Sequence, residues 1–239
     1  SLVHEVGHQA AALLDLVECL RAPLRGRIGA GARQRWIYWE RWASEIIADL
    51  WSVANLGVAA TLGTMSVLSL PRPFVFRVSL DDPHPAPWLR VKLSCAMGEA
   101  LYPHAQWQRV FELWNALHPL QSEDRQLALL HDGAAEFVDL LLGLRAPSLH
   151  GRTLAQVLRN PELQRDKLAA RHQRAPLQLS AAVPCLACAT LGQARLDGLL
   201  DPEAESQVLQ RLLVRWALDN TFGSQPRPLA AGSLLRASH

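Results

Sequence analysis

The sequence has little excess charge of either sign and few cysteines. In 239 residues the formal net charge is +2, and 19% of the residues are charged. So balanced a chain offers no electrostatic basis for binding nucleic acid or an anionic membrane. The four cysteines are too few to form a disulfide scaffold in a chain of this length, which favours a reducing compartment. We therefore expect a cytoplasmic protein that does not bind nucleic acid.

Strand signals are also scarce. A brief alternation of apolar and polar residues occurs within RPFVFRVSL, at 72–80, while helical periodicity dominates elsewhere. The sequence therefore predicts a mainly α-helical fold. The predicted helices span residues 2–22, 36–70, 89–101, 105–117, 123–145, 152–173 and 202–221, and Pro71 and Pro73 end the second of them.

The stretch from residue 50 to residue 70 contains no charged side chain, so a membrane span has to be considered. Serine, asparagine, threonine and glycine interrupt this stretch and lower its hydrophobicity. A buried core helix is therefore the prediction, and membrane association is the alternative.

The segment His4-Glu5-Val6-Gly7-His8 is an HExxH motif in a stretch with helical periodicity. Histidines four residues apart on a helix project from the same face, where one Zn²⁺ can take both imidazoles. Glu5 would then lie beside the metal as a general base towards a water molecule. The alternative is a chance occurrence of the motif on a solvated helix face.

A catalytic zinc needs a third protein ligand, and Glu45 is the candidate. Asp49 lies four residues further on and so shares its helix face, where it can orient a ligating histidine from outside the metal shell. Both acids can alternatively be ordinary surface residues. However, Ile46 and Ile47 make their surroundings apolar, and acids in such a stretch tend to need a partner.

These motifs carry a family resemblance. HEVGH followed by EIIAD resembles the gluzincin zinc peptidases, and is most similar to the HtpX and CAAX prenyl protease family. That family has a later His-Pro motif with an arginine six residues after the histidine, and here His84-Pro85 is followed by Arg90 at the same spacing. The resemblance covers residues 1–95.

The resemblance implies a zincin-like helical core that binds Zn²⁺ and hydrolyses polypeptide substrates. It further implies that His84 hydrogen-bonds the oxyanion of the reaction, while Arg90 organises that loop or the substrate. Without the two upstream motifs, His84 would be read as a loop histidine and Arg90 as a solvated residue at a helix start.

The domain prediction is a metallopeptidase core over residues 1–104 and a helical region of unknown role over 105–239. Gluzincins carry a substrate-binding strand before HExxH, so we expect this chain to be the C-terminal part of a longer protein. The alternative is that Ser1 caps a complete chain. Two other functions remain open: a catalytically silent metal-binding or interaction module, and a helical scaffold without metal. In a regulated peptidase, the C-terminal region or a partner would restrain the site.

Overall fold

The fold is mainly α-helical, as predicted. The structure is a computed structural model that describes residues 2–28, 33–174, 184–201, 203, 206–211, 214 and 218. Within these residues there is no β-strand. The predicted helix over 202–221 lies partly outside the described residues.

Thirteen α-helices have defined bounds within the described residues, and residues 206–211 are helical as well. The first seven are α1 (Leu2–Leu13), α2 (Leu16–Ile28), α3 (Arg33–Arg41), α4 (Ala43–Leu56), α5 (Val58–Leu68), α6 (Arg72–Val75) and α7 (Pro87–Leu101). The others are α8 (Gln106–Leu117), α9 (Arg125–Asp132), α10 (Ala134–Leu142), α11 (Leu154–Leu158), α12 (Arg165–Arg174) and α13 (Pro184–Leu196). Two short 3-10 turns, Pro147–Leu149 and Pro161–Leu163, flank α11.

Four of the predicted helices are interrupted. The helix predicted over 123–145 divides at Gly133 into α9 and α10, and the one predicted over 152–173 divides into α11, a 3-10 turn and α12. The other two each contain a break at which the backbone has a positive φ. The helix predicted over 2–22 divides at Asp15, which has a φ of 51°. The helix predicted over 36–70 divides at Trp42, whose φ of −93° is not left-handed, and again at Gly57, which has a φ of 56°. Glycine adopts a positive φ readily, and aspartate does so more often than most other residues. The apolar periodicity of the sequence runs through both positions and therefore does not reveal the breaks. The alternating segment near Phe74 forms α6 instead of a strand.

The uncharged stretch does not form one continuous helix, because Gly57 separates α4 from α5. Within the described parts of the chain, no helix is long and apolar enough to cross a membrane. Helix α4 is buried on most of its sides, as predicted for a core helix. Helix α5 buries only Val58, Thr61 and Met65.

Helix α4 is the centre around which the other elements pack. Helices α1, α2, α5, α7 and α13 all contact it. A single hydrophobic core contains residues from both sides of residue 104, among them Trp39, Trp42, Trp88, Trp107, Trp114 and Phe137. The two regions predicted from the sequence therefore share one core.

Helix α1 lies unusually close to α4. A Cβ atom on Gly7 would stand 2.9 Å from Ala48 Cα, 2.9 Å from Trp51 Cβ and 3.0 Å from the Ala48 carbonyl oxygen. Two of these three atoms belong to the α4 backbone and cannot move aside as a flexible side chain can. The absence of a side chain at Gly7 is thus what permits the two backbones to meet at this depth.

We expect Gly7→Ala to lower the free energy of unfolding. Overpacking of this kind costs about 1–3 kcal/mol, which exceeds the gain of up to about 1 kcal/mol from replacing a helical glycine with alanine. Chemical denaturation followed by circular dichroism measures the difference. The control is Gly26→Ala in α2, where an added Cβ meets nothing within 4 Å. That control should be neutral or stabilising, and equal behaviour of the two variants would contradict the proposed packing constraint.

Candidate metal centre

Helices α1 and α4 together assemble three potential metal ligands. His4 Nε2 lies 3.2 Å from His8 Nε2 and 3.3 Å from Glu45 Oε2, and His8 Nε2 lies 3.3 Å from Glu45 Oε1. Ligands about 2.0–2.1 Å from a tetrahedral zinc ion are separated from one another by roughly 3.3–3.4 Å. The three groups predicted from the sequence therefore come together at the separations that one zinc ion requires.

A buried carboxylate oxygen of Glu45 supports the interpretation of these three groups as a cation site. Glu45 Oε2 is buried and makes no hydrogen bond of good geometry, although His4 Nε2 is 3.3 Å away. Buried carboxylate oxygens normally have a partner. Burial would raise the pKa of Glu45, but the interaction with His4 and the nearby positive charges outweigh it, so that the pKa is lowered. Glu45 thus presents an ionised oxygen to the centre of the cluster.

His4 is held from its other side by Asp49. Its Nδ1 lies 2.8 Å from Asp49 Oδ1, the place expected for a group that orients a ligating imidazole. Hydrogen bonds to Asp49 and then to Glu45 raise the pKa of His4 to about 9. Without metal, His4 therefore carries a second proton at neutral pH, and zinc has to displace it from Nε2 in order to bind there.

Arg90 binds Asp49 through both of its oxygens. Nε donates to Oδ2 at 2.8 Å and Nη2 donates to Oδ1 at 2.7 Å, a two-pronged geometry characteristic of arginine and carboxylate. Burial alone would raise the pKa of Asp49, but the hydrogen bonds from His4 and Arg90 outweigh it and the pKa is lowered. The structure thus adds a contact that the sequence did not reveal: Arg90 reaches His4 through Asp49.

His84 enters the site from the loop between α6 and α7. Its Nε2 lies 3.6 Å from Glu45 Oε2, and its Nδ1 lies 3.0 Å from Asp82 Oδ1. The side chain is about half exposed, at 51%. The His84-Pro85 motif, third in the sequence, therefore lies close in space to the first two motifs.

The loop that carries His84 is fastened to the segment just before Glu45. Arg41 Nε donates to the Leu80 carbonyl at 2.9 Å, and Trp42 Nε1 donates to the Asp82 carbonyl at 3.1 Å. Because Trp42 is fully buried, the loop is tied to the core next to the start of α4.

Glu5 is exposed on α1 between the two histidines of the motif. A general base has to be reachable by water and substrate, and this exposure satisfies that requirement. His84 lies with the three potential ligands, and Arg90 supports them from inside through Asp49. Glu5 is exposed beside His4 in sequence on α1, and it makes no hydrogen bond or ion pair with these groups among the described contacts.

Two residues of the site were not identified from the sequence. Ser44 Oγ lies 3.1 Å from His8 Nδ1, and Gly7 sets the depth at which α1 meets α4. Both lie within or next to the motifs, but their contacts are made between helices, so no periodicity in the sequence indicates them.

Comparison with known protein families, curated proteins and solved structures found no match for this chain. The resemblance to the gluzincins therefore rests on the three motifs and on their positions in the sequence.

We expect Arg90→Met to destabilise the protein strongly, since it removes the arginine that donates two hydrogen bonds to the buried Asp49. Breaking a buried ion pair on one side costs roughly 3–5 kcal/mol. Denaturant unfolding in the presence of a chelator measures the effect without a contribution from metal. Arg25→Met, which removes an exposed arginine paired with Glu18 and Glu40, is the matched control and should have a much smaller effect. An Arg90 variant as stable as this control would show that the contact is unimportant.

Proposed function

We propose that this protein is a zinc-dependent metallopeptidase that cleaves internal peptide bonds of polypeptide substrates. The observation that carries the proposal is the set of separations, 3.2–3.3 Å, among the His4, His8 and Glu45 ligand atoms. Two imidazoles and one carboxylate leave a tetrahedral zinc ion with an open position, which is the composition of a catalytic centre.

In this proposal His4, His8 and Glu45 hold Zn²⁺. When bound, zinc polarises the substrate carbonyl and lowers the pKa of water at the site. Glu5 takes a proton from the attacking water and passes it to the leaving amine, as a general base that becomes a general acid. Its exposed position on α1 supports this role.

The developing negative charge on the carbonyl oxygen needs a donor, and His84 is the proposed one. Its contact with Glu45 at 3.6 Å places it beside the ligands, and its exposure leaves it accessible to substrate. Arg90 acts differently, through its two hydrogen bonds to Asp49, which orients His4. We therefore propose Arg90 as a positioning residue and His84 as the group that contacts substrate.

A cytoplasmic location is proposed with the function. The four cysteines, too few for a disulfide scaffold in a chain of this length and all of them free thiols, support it. The rival function is a metal-binding or interaction module that keeps the same ligands without turnover, and Glu5 discriminates between the two.

The first test is the zinc content of the purified protein. We expect about one zinc per chain in the wild type and its loss in His4→Ala, because two remaining ligands bind zinc far more weakly. Elemental analysis after incubation with zinc and removal of excess metal measures the content. His150→Ala changes an exposed histidine outside the site and should keep the metal. A wild-type protein that takes up no zinc would contradict the proposal.

The second test separates metal binding from catalysis. We expect Glu5→Gln to keep its zinc but to lose hydrolysis by about 10²–10⁴-fold, the usual contribution of a general base. Cleavage of an unstructured polypeptide, with a chelator-treated sample as the blank, measures the rate. Glu112→Gln, at an exposed acid on α8, is the control and should retain activity.

Equal rates for wild type and Glu5→Gln would refute the assigned mechanism. A zinc-loaded wild type that cleaves no polypeptide would instead favour the silent module.

A further inference from the structure

Ser44 directs its hydroxyl at the histidine on the opposite helix. Ser44 Oγ, on α4, lies 3.1 Å from His8 Nδ1, on α1, in a partly buried contact. The Nε2 atom of the same ring faces His4 and Glu45 at 3.2 and 3.3 Å. One ring nitrogen of His8 thus faces the cluster of ligands, and the other faces the serine.

The hydroxyl is not used as a helix cap. Serines near a helix start commonly accept a backbone N–H there. In α4 the N-cap residue is Trp42, which makes no side-chain capping bond, and Ser44 lies inside the first turn. Among the described residues, the contact with His8 is therefore the one hydrogen bond of this side chain.

The chemistry of a neutral imidazole gives this contact a consequence for metal binding. A neutral histidine carries one ring proton, and a nitrogen that carries it has no lone pair for a metal. If the proton is on Nδ1, that N–H donates to Ser44 Oγ, and the Nε2 lone pair is free towards His4 and Glu45. A hydroxyl accepts this bond without adding charge to the site.

We infer that Ser44 is a positioning residue that holds His8 with Nδ1 protonated and Nε2 free to coordinate zinc. The inference rests on the proposed function. It also distinguishes the two histidines: His4 is oriented by an ionised carboxylate, Asp49, whose charge Arg90 offsets, whereas His8 is oriented by a neutral hydroxyl. Neither arrangement adds net negative charge behind the ligands.

The test compares Ser44→Val with Ser44→Thr, since valine and threonine have nearly the same shape and differ in the hydroxyl. Loss of a group that orients a metal ligand typically lowers affinity by about 10–100-fold. We expect Ser44→Val to bind zinc about tenfold or more weakly in competition with a chromogenic chelator, and Ser44→Thr to bind it as the wild type does. Thermal unfolding of the metal-free forms should be the same for both variants.

A second readout reports the ring directly. Long-range ¹H–¹⁵N NMR of the metal-free wild type should show neutral His8 with the proton on Nδ1, and Ser44→Val should reduce this preference, because without zinc the tautomer is not already fixed by coordination. If Ser44→Val binds zinc as tightly as the wild type, the inference is overturned. If Ser44→Val and Ser44→Thr lose the same affinity, it is overturned as well. Neither outcome contradicts the zinc site itself. A wild type that binds no zinc would overturn the proposed function and the inference with it.

Discussion

The site depends on the close approach of α1 to α4 at Gly7. His4 and His8 lie on either side of this glycine in sequence, and Glu45 and Asp49 lie on either side of Ala48, the residue that the glycine meets. A side chain at this position would push the two helices apart and would move both imidazoles away from both carboxylates. The ligand separations of 3.2–3.3 Å are thus a consequence of backbone packing more than of side-chain adjustment.

Helix α4 supplies three polar residues of the site, although it is also the central helix of the hydrophobic core. In one and a half turns it presents Ser44 to His8, Glu45 to the centre of the cluster and Asp49 to His4. Such acids would be costly in so apolar a place without partners. Each acid has them, because the histidines approach from α1 and Arg90 approaches from α7.

The same apolar surroundings strengthen the electrostatics of the proposed reaction. Charges interact more strongly where water is excluded, so the contact between Arg90 and Asp49 fixes His4 more firmly than an exposed pair would. The cluster is also accessible to water, because His84 beside Glu45 is half exposed and Glu5, next to His4 in sequence, is exposed. A rigid interior side and an accessible outer side suit a centre that has to hold a metal and admit a substrate.

The sequence by itself determined the helical class and much of the candidate site. Spacings of four residues place His4 with His8, and Glu45 with Asp49, because helix geometry is local. Tertiary structure decided the breaks at Asp15 and Gly57. It also decided the hydrogen bond between His8 and Ser44 and the two hydrogen bonds that Arg90 donates to Asp49. The physical reason is the sequence separation of the interacting residues. Periodicity, which is local, encodes which residues share a helix face. Which faces meet, and how closely, depends on packing between segments far apart in the chain.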